Sequence, residues 1–157
     1  MSEEANPTLR PVSIDQLAWE EWGHGERYGG RVKRLGKEAG AVRVGVNLEE
    51  LPPGKKSCPL HFHFGEEEQL HVLEGAPTLL LGSERIGLSP GDHVCFPAGQ
   101  AVGHCLINET AEVCRFMMIG ERNPHDVVVY PDSGKVLVSD ADQLFDLSAV
   151  KDYWDGE

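Results

Sequence analysis

The sequence lacks the features that would assign it to several common classes of protein. Its four cysteines form no Cys-x-x-Cys pair, so neither a zinc ribbon nor a thioredoxin-like redox motif is predicted, and we expect reduced thiols. No run of eighteen apolar residues is present, and the first ten residues are polar. This pattern predicts neither a transmembrane helix nor a signal peptide. We therefore expect a cytoplasmic protein that does not bind membranes.

Basic residues are also scarce. Lys and Arg total 14 against 26 Asp and Glu, which gives a formal net charge of -12. Such a charge opposes binding to a phosphate backbone, so no nucleic-acid partner is predicted. The sequence has no Gly-rich phosphate loop and no Ser-His-Asp arrangement, so it gives no support to nucleotide binding or nucleophilic catalysis. At 157 residues the chain can bury a core without a structural metal, so any metal would serve function.

Turn-forming residues are abundant, with 18 Gly and 10 Pro. They separate short apolar or alternating runs, the pattern of an all-β sandwich or barrel. The runs cover residues 41–51, 58–64, 68–73, 78–81, 93–96, 104–108, 113–119 and 127–130.

The two ends of the chain differ from this central region. We expect an N-terminal arm at residues 1–30, a β-barrel at 31–131 and a C-terminal arm at 132–157. Ser13 with Gln16 has capping-box spacing, which predicts a short helix over residues 13–21. Residues 139–147 offer a second capping candidate.

The segment His61-Phe62-His63 carries the clearest chemical signal. Side chains alternate along a strand, so the two histidines project to one face about 6.6 Å apart along the backbone. A loop after His63 would return the chain, so that Glu68 could supply a carboxylate from the next strand. Nitrogen and oxygen donors together form a set that suits transition metals. His104 follows farther downstream.

Two longer patterns contain these residues. Residues 54–75 read G-x6-H-x-H-x4-E-x6-G, and residues 91–108 read G-x5-P-x-G-x4-H-x3-N. Together they resemble the two motifs of the cupin superfamily, and the fifteen residues between them resemble the spacing in compact single-domain microbial cupins. The resemblance implies a small antiparallel β-barrel of jelly-roll type that holds a metal near one mouth.

The resemblance also implies a ligand set for one divalent transition metal ion, either Fe, Mn, Ni or Zn. Two spacings depart from the family pattern. Six residues rather than five separate Gly54 from His61, which affects only a loop. Four residues rather than two separate Gly99 from the histidine, so that Val102 stands at the usual ligand spacing. His104 is nevertheless expected to bind, because Asn108 follows it at the usual interval. The implied ligands are His61, His63, Glu68 and His104.

Three consecutive glutamates compete for the carboxylate position. Glu68 gives six residues before Gly75 and is in phase with Leu70, which is expected to face the interior. Glu67 remains the alternative ligand. The candidate substrate pocket comprises Leu70, Asn108 and Arg115; the catalytic residues are not identified, and no organic cofactor is expected.

Three histidines and one glutamate leave two positions open on a six-coordinate ion. One hypothesis is therefore a metal-dependent enzyme that acts on a small polar metabolite, either as a dioxygenase or as a sugar or keto-acid isomerase. The alternative is a non-catalytic cupin that binds a small molecule or metal for sensing or storage.

Apolar residues with an outward phase suggest a contact between subunits. They are Phe62, Phe64, Leu73 and Ile107. Contiguous apolar patches are uncommon on monomers, so we expect a homodimer with twofold symmetry.

Overall fold

Antiparallel strand pairing organises most of residues 10–157, the part of the chain that this computed structural model describes. The strands are β1 (Glu20–His24), β2 (Tyr28–Lys33), β3 (Val44–Leu51), β4 (Phe62–His63), β5 (Glu68–Glu74), β6 (Thr78–Leu81), β7 (Glu84–Gly87), β8 (His93–Phe96), β9 (His104–Ile107), β10 (Cys114–Glu121), β11 (Val127–Tyr130), β12 (Lys135–Val138) and β13 (Gln143–Asp146). A single helical turn, α1 (Leu35–Glu38), precedes β3. Within residues 10–157, every helix is too short or too polar to span a bilayer.

The strands form three sheets. Their orders are β1-β2-β3-β10-β5-β8, β13-β12-β11-β4 and β7-β6-β9. An antiparallel bridge between His61 and His104 joins the segment before β4 to the start of β9. The all-β antiparallel prediction is confirmed, and the bridge brings the two histidine motifs side by side.

All eight predicted runs contain a strand, but five strands escaped prediction. Strands β1, β7 and β13 are exposed along their whole length, so they show no apolar alternation. β2 contains two adjacent glycines, and β12 is only half-buried throughout. Hydrophobic periodicity detects strands with one buried face and therefore misses these.

The helix predicted over residues 13–21 is wrong beyond its first turn. Only Ile14–Gln16 is helical, as one 3-10 turn, and the Ser13 side chain makes no capping hydrogen bond. Pairing with β2 takes the chain from residue 20 onward. The second capping candidate forms the 3-10 turn Ser139–Ala141, after which β13 pairs with β12. Pairing to a neighbouring strand outweighs weak local helix signals in both places.

Both segments predicted as terminal arms therefore contribute strands to the sheets. β1 extends the six-stranded sheet, and β12 and β13 extend the four-stranded one. The boundaries at residues 31 and 131 stay a prediction, and residues 1–9 of the predicted N-terminal arm lie outside the described residues.

A hydrophobic core fills one end of the interior. It comprises Leu51, Leu70, Val72, Leu79, Leu88, Phe96, Leu106, Cys114 and Phe116. In β5 the inward positions are Glu68, Leu70 and Val72, because side chains alternate between the two faces. Because Glu68 shares this face with Leu70 and Val72, the interior becomes polar beyond its apolar end.

Gly75 shows why the first motif ends in glycine. Its φ of +79° lies in the left-handed region, and a Cβ there would sit 2.8 Å from Cys114 Sγ and 2.9 Å from Cys114 Cα. Only glycine fits this close approach of the turn after β5 to the start of β10.

A charge cluster fixes β3 between its neighbours on the outer face of the sheet. Glu50, with a side chain 4% exposed, accepts hydrogen bonds from Arg31 and from Arg115 Nη2, the latter at 2.7 Å. Burial alone would raise the pKa of Glu50, but these hydrogen bonds outweigh it and lower that pKa. The cluster ties β2, β3 and β10 together.

We expect Glu50→Gln to lower the free energy of unfolding at neutral pH by about 1.5–3 kcal/mol, the range for hydrogen bonds to a charged group. Because the pKa of Glu50 is lowered in the folded protein, its contribution is present above the ordinary carboxyl pKa and is lost as the pH falls. Urea unfolding of both proteins should therefore converge in acid.

The matched control is Glu20→Gln, which removes an exposed carboxylate 3.0 Å from Arg34 Nε. This exposed pair should contribute less than about 1 kcal/mol. Equal destabilisation by the two variants would contradict the special role of the buried cluster.

Candidate metal centre

Three imidazoles converge on one carboxylate where β4, β5 and β9 meet. The distances to Glu68 Oε2 are 3.6 Å from His61 Nε2, 3.3 Å from His63 Nε2 and 2.9 Å from His104 Nε2. Donor atoms of His61, Glu68 and His104 all lie within 4.8 Å of one another. The structure thus brings together all four side chains that the sequence nominated as ligands.

The backbone places the imidazoles. His61 and His104 exchange backbone hydrogen bonds, with N···O distances of 3.3 Å and 2.8 Å, so the two rings start from neighbouring positions. His104 begins β9, and the two additional residues after Gly99 are accommodated in the loop before it. Val102 lies in that loop and is 38% exposed. The longer loop therefore leaves His104 beside His61.

The alternation of side chains along β5 determines which of the three glutamates faces the imidazoles. Glu68 begins β5 and faces inward with Leu70, whereas the Glu67 carboxylate accepts a hydrogen bond from Gln69 Nε2 at 3.0 Å. The first of the three glutamates, Glu66, accepts from the Asn123 backbone N–H at 2.6 Å. Of the three, Glu68 is the one whose oxygen meets the imidazoles.

The far nitrogen of two rings is held by an acceptor. His63 Nδ1 lies 2.6 Å from Asp126 Oδ2, and His61 Nδ1 lies 2.9 Å from the Pro59 carbonyl oxygen. Because an ionised carboxylate and a carbonyl can only accept, both Nδ1 atoms carry the proton and donate it. In the neutral rings, Nε2 then directs its lone pair toward Glu68.

These donors fit a metal ion. His63 Nε2 is buried and has no hydrogen-bond partner among residues 10–157. Lone pairs that face a carboxylate repel it, and a cation among them would convert this repulsion into attraction. Three nitrogens and one oxygen suit a divalent transition metal such as iron, manganese, nickel or zinc.

The pKa values of two of the three imidazoles show the same demand for positive charge, whereas burial and the charges of His61 and His63 lower the pKa of His104. Burial would lower the pKa of His61, but contacts with Cys58 and Glu68 outweigh it and raise the pKa to about 10. The same balance, with Glu68 and Asp126 as partners, raises the pKa of His63 to about 9. Burial would raise the pKa of Glu68, yet its contacts with His104, His61 and His63 hold it well below the usual range. The surroundings of Glu68 thus favour a neighbouring positive charge.

A cavity of about 330 Å³ opens from this centre into the interior. Its volume falls in the range of about 300–1,000 Å³ typical of small-molecule sites. Its apolar wall includes Leu70, Phe116 and Met118. The polar positions of the wall outside the imidazole cluster are Asn47, Glu49, Ser57, Cys58 and Glu121.

Of the three candidate pocket residues, the structure places only Leu70 in the cavity wall. The Asn108 side chain is fully buried and donates to the Leu51 and Glu112 carbonyl oxygens, at 2.8 and 2.7 Å. It therefore fixes the loop after β9. Arg115 alternates with the inward Cys114 and Phe116, so its guanidinium lies on the outer face with Glu50.

Sequence reasoning missed Asp126 and Glu49. Asp126 is 2% exposed, and it also accepts from the Gly65 backbone N–H at 2.7 Å. It reaches His63 because β11 pairs with β4, a long-range pairing that no motif signals. The alternation of Asn47 and Glu49 within the run 41–51 was visible, but the sequence did not show that these side chains face inward.

We expect Asp126→Asn to weaken binding of Zn²⁺ by about 10- to 100-fold, because the partner that orients a ligating histidine strengthens metal binding. Competition with a chromophoric chelator measures the dissociation constant. The control is Asp140→Asn, which removes a carboxylate that lies 2.7 Å from Nδ1 of the exposed His125. Unchanged affinity in a folded Asp126→Asn protein would contradict this role.

Removing one imidazole tests the ligand set. His61→Ala and His104→Ala should each lose most of the bound metal after dialysis against a weak chelator, as measured by elemental analysis. His93→Ala is the control, since His93 is exposed on β8 and should leave the metal content unchanged. Full occupancy in the His104 variant would show that the longer loop takes His104 out of the ligand set.

Comparison with known proteins gives matches of two kinds. A family model described as a cupin domain matches residues 47–120, whereas a comparison with curated proteins gives no match. A "putative sugar phosphate isomerase" from Acidithiobacillus ferrooxidans is 31% identical, with 92% of this chain and 96% of that one covered and a TM-score of 0.85. The match to the family model is thus the first kind, and the similarity to solved structures is the second.

Two further structures show how widely the architecture is shared. A sugar phosphate isomerase "from a cupin superfamily" of Silicibacter pomeroyi is 27% identical over 93% of this chain and 98% of its own, with a TM-score of 0.80. A "predicted oxalate decarboxylase" from Thermotoga maritima is 18% identical over 73% of this chain and 100% of its own, with a TM-score of 0.62. The last similarity concerns the jelly-roll fold alone.

Proposed function

Because the chain belongs to the cupin superfamily, we propose that it is a metal-dependent isomerase of a sugar or a related hydroxy-carbonyl compound. The observation that carries this proposal is the convergence of His61, His63, His104 and Glu68 beside a cavity of about 330 Å³. The likeness to two proteins described as sugar phosphate isomerases, each over more than nine tenths of both chains, supports isomerase rather than oxygenase chemistry.

The four side chains would hold one divalent ion, and when bound such an ion supplies a Lewis acid that polarises a carbonyl. Asp126 and the Pro59 carbonyl keep His63 and His61 in the tautomer whose Nε2 can bind. The apolar wall restricts water around the reacting carbons, which strengthens electrostatic interactions inside the cavity.

The charge of the cavity wall limits how a substrate enters. Glu49, Glu68 and Glu121 line the wall, and among residues 10–157 no Lys or Arg does. A phosphate group inside would be repelled by these carboxylates. Arg122 lies beside Gly45 at the rim, so we expect the carbonyl end of a sugar to enter and any phosphate to remain at the rim.

We also propose a cytoplasmic homodimer. Phe64 is 53% exposed and Leu73 is 38% exposed, although Phe62 is buried and contacts Phe64. Exposed apolar side chains of this kind are often covered by a second subunit. Light scattering on the purified protein should give twice the mass of the chain, and a monomeric mass at micromolar concentration would contradict the dimer.

Proton NMR in deuterium oxide tests the proposed activity. Protein stripped of metal and reloaded separately with Fe²⁺, Mn²⁺, Ni²⁺ or Zn²⁺ is incubated with D-ribose, D-xylose, D-mannose and their phosphate esters. We expect at least one metal to support loss of the proton signal next to the carbonyl, with formation of the ketose. The stripped protein should not catalyse this exchange.

Two other results would overturn the proposal. Substrate-dependent oxygen consumption by the iron-loaded protein would instead indicate a dioxygenase. Calorimetric binding of a sugar without exchange or oxygen consumption would indicate a non-catalytic binding protein.

A further inference from the structure

Glu49 is a carboxyl group that faces the cavity from the wall formed by β3. Side chains alternate along β3, so Glu49 and Asn47 point inward while Glu50 points outward to its arginine partners. Glu49 lines the same cavity as His61, Glu68 and His104. A sugar that fills this cavity and reaches the imidazoles therefore also comes against Glu49.

The other carboxylates of the wall are already engaged. Glu68 lies among the three imidazoles, and Glu121 Oε2 accepts the Glu67 backbone N–H at 2.9 Å. Cys58, a thiol of the same wall, contacts Ser57 and His61. Within residues 10–157, Glu49 is thus the cavity carboxyl free to exchange a proton with a substrate.

Glu49 also has a route to solvent. Together with Asn47 and Ser57, it also lines a neighbouring shallow depression of about 290 Å³ that includes Arg34. A proton taken up inside the cavity can therefore leave through this open depression. Exchange with solvent during turnover is the expected consequence.

From this placement we propose that Glu49 is the catalytic acid and base of the isomerase, an assignment that rests on the proposed function. Its carboxylate takes the proton from the carbon next to the carbonyl, and the electrons of that C–H bond form a carbon–carbon double bond as the carbonyl electrons move to oxygen. The resulting carboxylic acid returns a proton to the former carbonyl carbon. A proton passes between the two substrate oxygens, so the product is an isomer and no co-reactant is consumed.

The electrostatic surroundings suit both halves of this cycle. Burial, with repulsion from Glu68 across the cavity, raises the pKa of Glu49 to about 7, against the opposing effects of Asn47 and Arg34. The other titratable groups of the wall are His61, His104, Cys58, Cys105 and Glu121. A proton-transfer group is most effective when its pKa lies near the working pH.

The test compares Glu49→Gln with the metal-loaded wild-type protein. Glutamine keeps the shape but cannot take the proton, so we expect unchanged metal content and at least about a 100-fold slower exchange of deuterium into the sugars named above. Glu49→Asp should recover part of the rate, and Glu20→Gln should match wild type. Thermal unfolding checks that each variant is folded.

Infrared spectroscopy gives a readout that needs no turnover. Wild-type protein should show a carboxylic acid C=O band that disappears as the pH is raised through neutrality, and this band should be missing in Glu49→Gln. If the glutamine variant does not fold, the aspartate variant decides, because its shorter side chain should slow exchange while keeping the titrating band.

The outcomes separate this proposal from the one on which it rests. Exchange by Glu49→Gln within a few fold of wild type would overturn the role of Glu49 and leave the isomerase standing. Loss of metal from Glu49→Gln would overturn it as well, because Glu49 would then act at the metal. Wild-type protein that exchanges none of the sugars would overturn both proposals.

Discussion

The organisation of the site depends on the interaction of the Glu68 carboxylate with three imidazoles. This carboxylate is largely buried, with a side chain 20% exposed, and it is ionised and surrounded by three imidazole nitrogens. A buried charge is costly unless it is paired, and each strand that contributes a partner must therefore be held in register. This requirement is met by the bridge between His61 and His104. It is also met by the position of Glu68 at the start of β5.

The same inward face serves two purposes along its length. At one end, Leu51, Val72 and Phe116 form the apolar core. At the other end, Glu49 and Glu68 occupy the same phase of β3 and β5. At the rim, Gly45 pairs with Gly120. Strand alternation thus builds a dry core and a polar cavity without any change of fold.

The sequence predicted the central strands and placed His61, His63 and Glu68 together because these depend on local signals, and the resemblance to the cupin motifs added His104. Alternation around Phe62 placed His61 and His63 on one face, and the phase of Leu70 favoured Glu68 over Glu67. Where a role depended on a pairing between distant segments that no motif signals, prediction failed. Asp126 reaches His63 through the pairing of β11 with β4, and Asn108 satisfies backbone groups of β3 and its own loop rather than facing the cavity. Exposed strands such as β13 were not predicted for a related reason. They show no apolar alternation, and only pairing with a neighbouring strand defines them.

The hydrogen bond from His63 to Asp126 connects the candidate metal centre to the four-stranded sheet that carries the C-terminal segment. An ion bound at the centre would add its binding free energy only to conformations in which β4 and β11 are paired. Opening of that sheet and release of the ion would then be thermodynamically linked. The backbone amides of β11 and β12 would accordingly exchange with solvent more slowly in the loaded protein, although neither strand supplies a ligand.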